Sequence, residues 1–522
     1  MKKYIFRATL IITLALSLIS CEDWLLEPSP GVTQLKDFFS KGDAAIQAVN
    51  ASYVPLMWEY NSTYFPEWFI GDVVSDDALK GGQSIGDMSV VYDMENFKTT
   101  TNNTYLLDYY RAQYQGVGRC NLDLQEIPAM EPDSAMSASL QNRLIGEAKF
   151  LRAMYYFRLV RVFGGVPKVD FVVSSSNQWK QPRATADSIY SFILSDLEAA
   201  NKLLWKKSLY ADVDLGRATK GAAQAMLLKV CLYTKDYSKA KAWGDSIIAS
   251  NQYNLVNKYA DNFTLAGENG AESVFEIQYM EEPTSDYGNG DGYTRGTFTV
   301  ILTRSRSVSA GGWGFNKPTQ NLYDEYETND PRRDETIINP TDDEISNPAQ
   351  EIYFGDRYLN KKYALQDSVG KYIKLAHATR APLNNKVIRY ADVLLMYAEA
   401  CCETNNLDRA KWALEEVRER ARGGNAAILP AFPNYNSYSD NQTDLRKAIR
   451  HERRVELAME GHRWFDLVRW GIAKETMDAY AATETDEARA EMGTFVKGQH
   501  ELFPIPSAEI DLDPLMEQNP YY

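Results

Sequence analysis

Apolar residues recur at spacings of three and four along most of this chain, so it reads first as a helical protein. From 43 to 58, Ala45, Ile46, Val49, Tyr53 and Leu56 fall on one face, and 105–127 behaves alike. Asp133-Ser134 is placed to cap a long helix from Met136 to Phe163, which Gly164-Gly165 and Pro167 stop. Thr185-Ala186-Asp187 opens another helix running through Leu204. Two helical hairpins follow: 219–233 with 238–250, and 390–403 with 407–420. Between them, 251–384 changes texture. It is rich in Gly, Asn, Asp and Tyr, and carries β-like runs at 273–279 and 298–302. An aromatic-rich insertion of this length inside a helical protein is expected to be ordered and functional. Further loops are expected at 430–441 and 483–499.

The segment from Leu445 to Trp470 is read as one helix with apolar residues on every side, hence largely buried. Glu452, Glu456 and Glu460 form a ridge along it at i, i+4 spacing. Like charges at that spacing repel, and buried charge requires a partner. Arg453 and Arg463 flank the ridge and are expected to pair with it in a core ion network.

The first 20 residues differ from all of this. Lys2, Lys3 and Arg7 precede an apolar run from Ala8 to Ile19, broken only by Thr9, Thr13 and Ser17. That is the layout of a secretory signal, and the run is too short to span a bilayer. It ends in Leu18-Ile19-Ser20-Cys21, which resembles the lipobox of a bacterial lipoprotein and so implies acylation at Cys21. Residues 1–20 are thus a signal peptide, 21–34 a lipid-anchored tether, and 35–522 one domain with a ligand-face insertion at about 251–384. The net charge of -15 becomes about -18 once the three leader cations are removed. Nucleic acid and anionic lipid headgroups are therefore excluded as partners, whereas neutral ligands such as sugars meet no such penalty.

Beyond Cys21 the cysteines are Cys120, Cys231, Cys401 and Cys402, with no metal-ligand spacing, and they read as buried thiols. The four histidines are dispersed, so neither a metal site nor a cofactor is expected. Aromatic residues are unusually frequent at 12%, and many stand in stretches where loops are expected.

Both hairpins carry a polar turn, an apolar residue and then an alanine (Asp236-Tyr237 to Ala240, Asn406-Leu407 to Ala410), which resembles a tetratricopeptide repeat. A more specific resemblance covers the chain from Cys21 to Tyr522. The run from Arg450 to Gly471, with Glu-Gly-His-Arg-Trp-Phe-Asp at 460–466, is similar to the hallmark segment of the SusD/RagB family. Segments 146–157, 163–167, 389–400, 502–506 and 518–521 match other parts of that family in order, as does 71–78 with Gly81-Gly82. The resemblance implies a mainly α fold of tetratricopeptide-like hairpins with long ligand-face loops. It also implies a surface lipoprotein of the outer membrane, without catalytic activity or cofactor. Such proteins sit on a SusC-like TonB-dependent β-barrel transporter and pass it a nutrient glycan; a minority branch handles peptides. A peptide-binding scaffold or an anchored glycosidase are the other classes to weigh. The latter needs two carboxylates about 5–10 Å apart across a sugar, and the sequence singles out no such pair.

A sugar ring has an apolar face and an edge of hydroxyls, so its site needs exposed aromatic platforms and planar polar groups. Trp58, Tyr64 and Trp68 in the early loop are candidates, with Asp76, Asp77 and Lys80 as hydrogen-bonding groups. In the insertion, Tyr287 and Tyr293 stand among glycines, and Trp313 stands between Gly312 and Gly314. A tryptophan so flanked is hard to place in a strand or helix core.

Overall fold

A computed structural model describes residues 35–522 except 282–294, 308–309, 346 and 368. The leader, Cys21 and the tether, together with Tyr287 and Tyr293, lie outside the described residues.

The scaffold is built from helices α1 (Gly42–Tyr53), α2 (Thr104–Glu126), α3 (Ala138–Phe163), α4 (Ala186–Leu203), α5 (Lys220–Tyr233) and α6 (Tyr237–Ala249). It is completed by α7 (Tyr390–Glu403), α8 (Leu407–Arg422), α9 (Gln442–Leu457) and α10 (Arg463–Trp470). Neighbours in sequence pack as antiparallel pairs: α2 on α3, α3 on α4, α5 on α6, and α7 on α8. Contacts of α7 with α6 and α9 join the two halves. The fold is thus mainly α, with tetratricopeptide-like hairpins.

Side-chain caps set several helix starts by accepting an otherwise orphaned backbone N–H. Thr185 accepts from Ser188 N at 3.2 Å, Thr219 from Ala222 N at 3.1 Å, and Asp236 from Lys239 N at 3.1 Å. For α3 the cap is Ser137, accepting from Leu140 N at 3.2 Å, rather than Asp133-Ser134. Asp133 instead accepts from Met136 N at 2.8 Å and from Gly42 N at 2.8 Å, tying the start of α1 to the α3 entry.

Short antiparallel ribbons form within the insertion and join it to its surroundings: β1 (Ala78–Gly81), in the early loop, with β3 (Phe315–Pro318), β2 (Ser273–Ile277) with β6 (Asn385–Arg389), and β4 (Ile337–Ile338) with β5 (Leu359–Asn360). Two expectations are corrected. Residues 298–302 do not form a strand; Thr299–Thr303 is a short helix. The 445–470 segment is two helices, α9 and α10, because the chain turns through Met459 (φ 63°) and Gly461 (φ 77°). That turn lies against Gly71 so closely that a Cβ on Gly71 would stand 2.1 Å from Gly461 O.

Candidate functional site

The aromatic residues of the early loop and the insertion meet at one place. Tyr60 and Tyr64 face each other across an isolated antiparallel bridge, rings 4.8 Å apart and inclined at 39°. Phe298 lies beneath both, 5.8 Å from Tyr60 and 5.2 Å from Tyr64. Trp313 meets Tyr64 edge to face at 5.3 Å and 72°. Phe298 is buried, with the Arg380 guanidinium 4.4 Å from its ring, whereas Tyr60, Tyr64 and Trp313 are half-buried, packed against the core on one side. The arrangement is a small curved surface of three rings on a buried aromatic base.

Backbone contacts fix Trp313 at the rim. Its N–H donates to Ile301 O at 2.8 Å, and its carbonyl accepts from Arg306 Nη1 at 2.8 Å. The flanking glycines are needed for this path. Gly314 has φ 70°, and a Cβ on Gly312 would stand 2.2 Å from Arg304 O. Gly314 O in turn accepts from Gly82 N at 2.9 Å, so the indole is carried at the end of the β1–β3 ribbon.

Of the described residues singled out in sequence, only Tyr64 and Trp313 are placed in this cluster. Trp58 is half-buried, with the Arg119 guanidinium 5.3 Å from its ring. Trp68 is a core residue, 2% exposed, tilted at 42° against Phe69 at 4.1 Å and donating to Thr299 Oγ1 at 3.0 Å. It presents no face to a ligand. Asp76, Asp77 and Lys80 are corrected likewise, since all three are buried and engaged. Asp76 accepts from Arg463 at 2.8 and 2.9 Å, and Asp77 from Arg454 Nε at 2.8 Å. Burial works against the Asp76 charge, but Arg454 and Arg463 outweigh it and hold its carboxyl at about 2. Lys80 donates to the carbonyls of Gly81, Ser84 and Asp87, and burial pushes its ammonium down to about 8. Sequence reasoning missed Tyr60 and Phe298. The alternation Trp58, Tyr60 around a buried Glu59 was the available signal for the first.

The glutamate ridge is buried and ion-paired, but not with the partners expected for it. Glu452 meets Arg332 and Arg418; Glu456 meets Arg332, Arg389 and Arg420; Glu460 meets Arg389 and Lys362. Arg453 turns away to Asp392 and Asp466, and Arg463 to Asp76. For Arg463 the break between α9 and α10 accounts for the difference, because the residue lies beyond it on α10; Arg453 lies within α9 and points away from the ridge to Asp392 and Asp466. Burial opposes the Glu460 charge, yet Arg389 and Lys362 draw its carboxyl down to about 2. The network ties α9 to β6, α8 and the 330–332 turn.

Cys120, Cys231, Cys401 and Cys402 are buried free thiols. Among the described residues no cluster of His, Cys, Asp or Glu could hold a metal ion, and no helix is long and apolar enough to cross a membrane.

The helical-hairpin scaffold, with an aromatic cluster formed between the early loop and the insertion, defines the class of protein by its fold, and comparison with known proteins gives its family. Residues 271–522 match the model described as the SusD family, and residues 61–232 the model described as "Starch-binding associating with outer membrane". The chain belongs to the SusD/RagB family. It is 27% identical to SusD-like protein P2 of Formosa agariphila over 549 residues, covering 100% of each chain. Among solved structures it is similar to a laminarin binding SusD-like protein, with a TM-score of 0.78, 27% identity, and 92% and 100% of the two chains covered. It is also similar to surface glycan-binding protein A from Bacteroides thetaiotaomicron in complex with laminarihexaose, with a TM-score of 0.77, 25% identity and the same coverage.

Proposed function

We propose that this chain is a non-catalytic glycan-binding lipoprotein of the outer membrane. It captures a neutral polysaccharide on the Tyr60–Tyr64–Trp313 rim and passes it to a TonB-dependent β-barrel transporter. The half-buried indole of Trp313, flanked by Gly312 and Gly314 and set edge to face against Tyr64, is the observation that carries this reading. Rings inclined at 39° and 72° suit a glycan whose successive apolar faces turn, as in a β-1,3-glucan, better than a flat ribbon of sugars. Similarity to a laminarin binding SusD-like protein and to a surface glycan-binding protein in complex with laminarihexaose supports the same class. The acidic net charge supports a neutral ligand over a polyanion. Anchoring at Cys21 rests on the lipobox-like boundary, and the transporter on family membership.

Affinity electrophoresis tests the reading. The protein should be retarded in gels containing laminarin more than in gels containing a β-1,4-glucan, and should release no reducing sugar. Unretarded migration through every neutral polysaccharide, or measurable hydrolysis, contradicts it. Co-purification with a large β-barrel from membranes tests the transfer step.

A further inference from the structure

The three rim rings and their base come from separate stretches of chain, and their mutual angles need something beneath them to hold. Asp108 lies on α2 and is 4% exposed. Its Oδ1 accepts from Asn61 Nδ2 at 2.8 Å. Its Oδ2 accepts from Ser62 N at 3.0 Å, Ser62 Oγ at 2.7 Å and Thr63 N at 2.9 Å. One carboxylate therefore satisfies two successive amides at the tip of the Tyr60–Tyr64 hairpin and fixes that tip to the scaffold.

Glu59, 3% exposed, holds the other end of the same hairpin. Its backbone carbonyl accepts from Phe65 N at 2.8 Å. Its Oε2 accepts from Thr297 Oγ1 at 2.8 Å and Phe298 N at 2.6 Å, and its Oε1 from Thr299 Oγ1 at 2.7 Å. These bonds cross 238–240 positions of sequence to the turn that carries Phe298. The helix that begins there contains Ile301, whose carbonyl receives the Trp313 N–H at 2.8 Å. Glu59 thus couples the Tyr60 side of the rim to the Phe298 and Trp313 side.

We infer that Asp108 and Glu59 are positioning residues that pre-assemble the aromatic rim for its ligand without touching it, an inference that rests on the rim being the glycan site. A rim half-open to solvent is not held by packing on all sides. Without these anchors it is assembled for only part of the time, and apparent affinity falls by that fraction. Loss of pre-assembly slows association and leaves the dissociation of the assembled complex unchanged. Loss of a contact residue does the reverse.

The test uses the full chain carrying 5-fluorotryptophan, with the Trp313 ¹⁹F resonance identified by Trp313→Phe and laminarihexaose as the probe ligand. Asp108→Ala and Glu59→Ala should each shift and broaden the Trp313 resonance while that of Trp412, on α8, stays in place. Both should slow association about tenfold with dissociation unchanged. Asp108→Asn can keep the three bonds from Ser62 and Thr63, and should recover most of the association rate. An unmoved Trp313 resonance in both alanine variants, or an effect confined to dissociation, overturns the proposal. The fluorine signal reports the rim without ligand. Failure of the wild type to bind any glycan would therefore count against the glycan reading, while the positioning role is still decided by the resonance.

Discussion

Asp72 is fully buried beside the turn at Gly461, and replacing it with asparagine isolates the cost of that burial. Its Oδ1 accepts from Gly461 N at 2.8 Å and its Oδ2 from Asn316 Nδ2 at 3.3 Å. Burial dominates its titration and Asp77 adds to it, while the hydrogen bonds from Gly461 and Asn316, and more weakly Lys362, oppose it without compensating, so the carboxyl is pushed up to about 8. Below the ordinary value of 3.8 both folded and unfolded chains hold the proton, and the residue imposes no penalty. As pH rises above that value the unfolded chain releases its proton while the folded chain keeps it. Stability therefore falls by about 1.4 kcal/mol per pH unit until the folded group also titrates near pH 8. The whole window amounts to at most roughly 6 kcal/mol, and relaxation around the charge reduces it to on the order of 2–5 kcal/mol. Asparagine has no proton to lose and retains an oxygen for Gly461 N. Its amide nitrogen would face Asn316, whose Oδ1 has no hydrogen-bond partner and can receive it after a flip. Urea unfolding followed by circular dichroism at pH 4, 6 and 8 should show Asp72→Asn close to wild type at pH 4 and progressively more stable above it. A stability difference that does not change with pH, or a variant weakened throughout, would mean that Asp72 is ionised in the native protein and that burial does not govern it.

Removing Glu456 leaves the guanidinium groups of Arg332, Arg389 and Arg420 short of a shared buried partner, so Glu456→Ala should cost about 3–5 kcal/mol in urea unfolding and Glu456→Gln less. Burial works against the charges of Asp466, Glu325 and Glu327, but Arg453 and Arg469 outweigh it for the first, and His451 with the neighbouring arginines for the other two, so all three sit near 2. Because their folded values are depressed, the stability they contribute is present above the ordinary carboxylate range. It should be lost as pH falls from about 4.5 towards 2, visible as a declining melting temperature over that interval. Cys21→Ala should move the protein from the membrane fraction to the soluble fraction and abolish incorporation of labelled palmitate.

The helices were legible because their signals are local. Apolar spacing fixed their faces, and Thr185, Thr219 and Asp236 announced their starts within a few residues of where they begin. The glycine-flanked Trp313 was legible for the same reason, since the backbone conformation it needs is written in its neighbours. What escaped notice depends on distant partners. Asp76 and Asp77 look like loop polar groups until Arg454 and Arg463, more than 370 positions away, arrive beside them. The β-branched run at 299–301 favours a strand locally, yet Glu59 takes up the Phe298 N–H at the head of that run, where a short helix forms instead. In the 445–470 segment the periodic pattern continues through the break, and only the close approach of Gly71 to Gly461 shows why the chain must turn there.

The central claim is that the half-buried aromatic rim around Trp313 is where this protein meets its ligand. Isothermal titration with laminarin, comparing wild type with Trp313→Ala, tests it most directly. The account predicts saturable binding by the wild type, at least tenfold weakened in the variant, about 1.4 kcal/mol, with an unchanged melting temperature. Equal binding by the two proteins would contradict it.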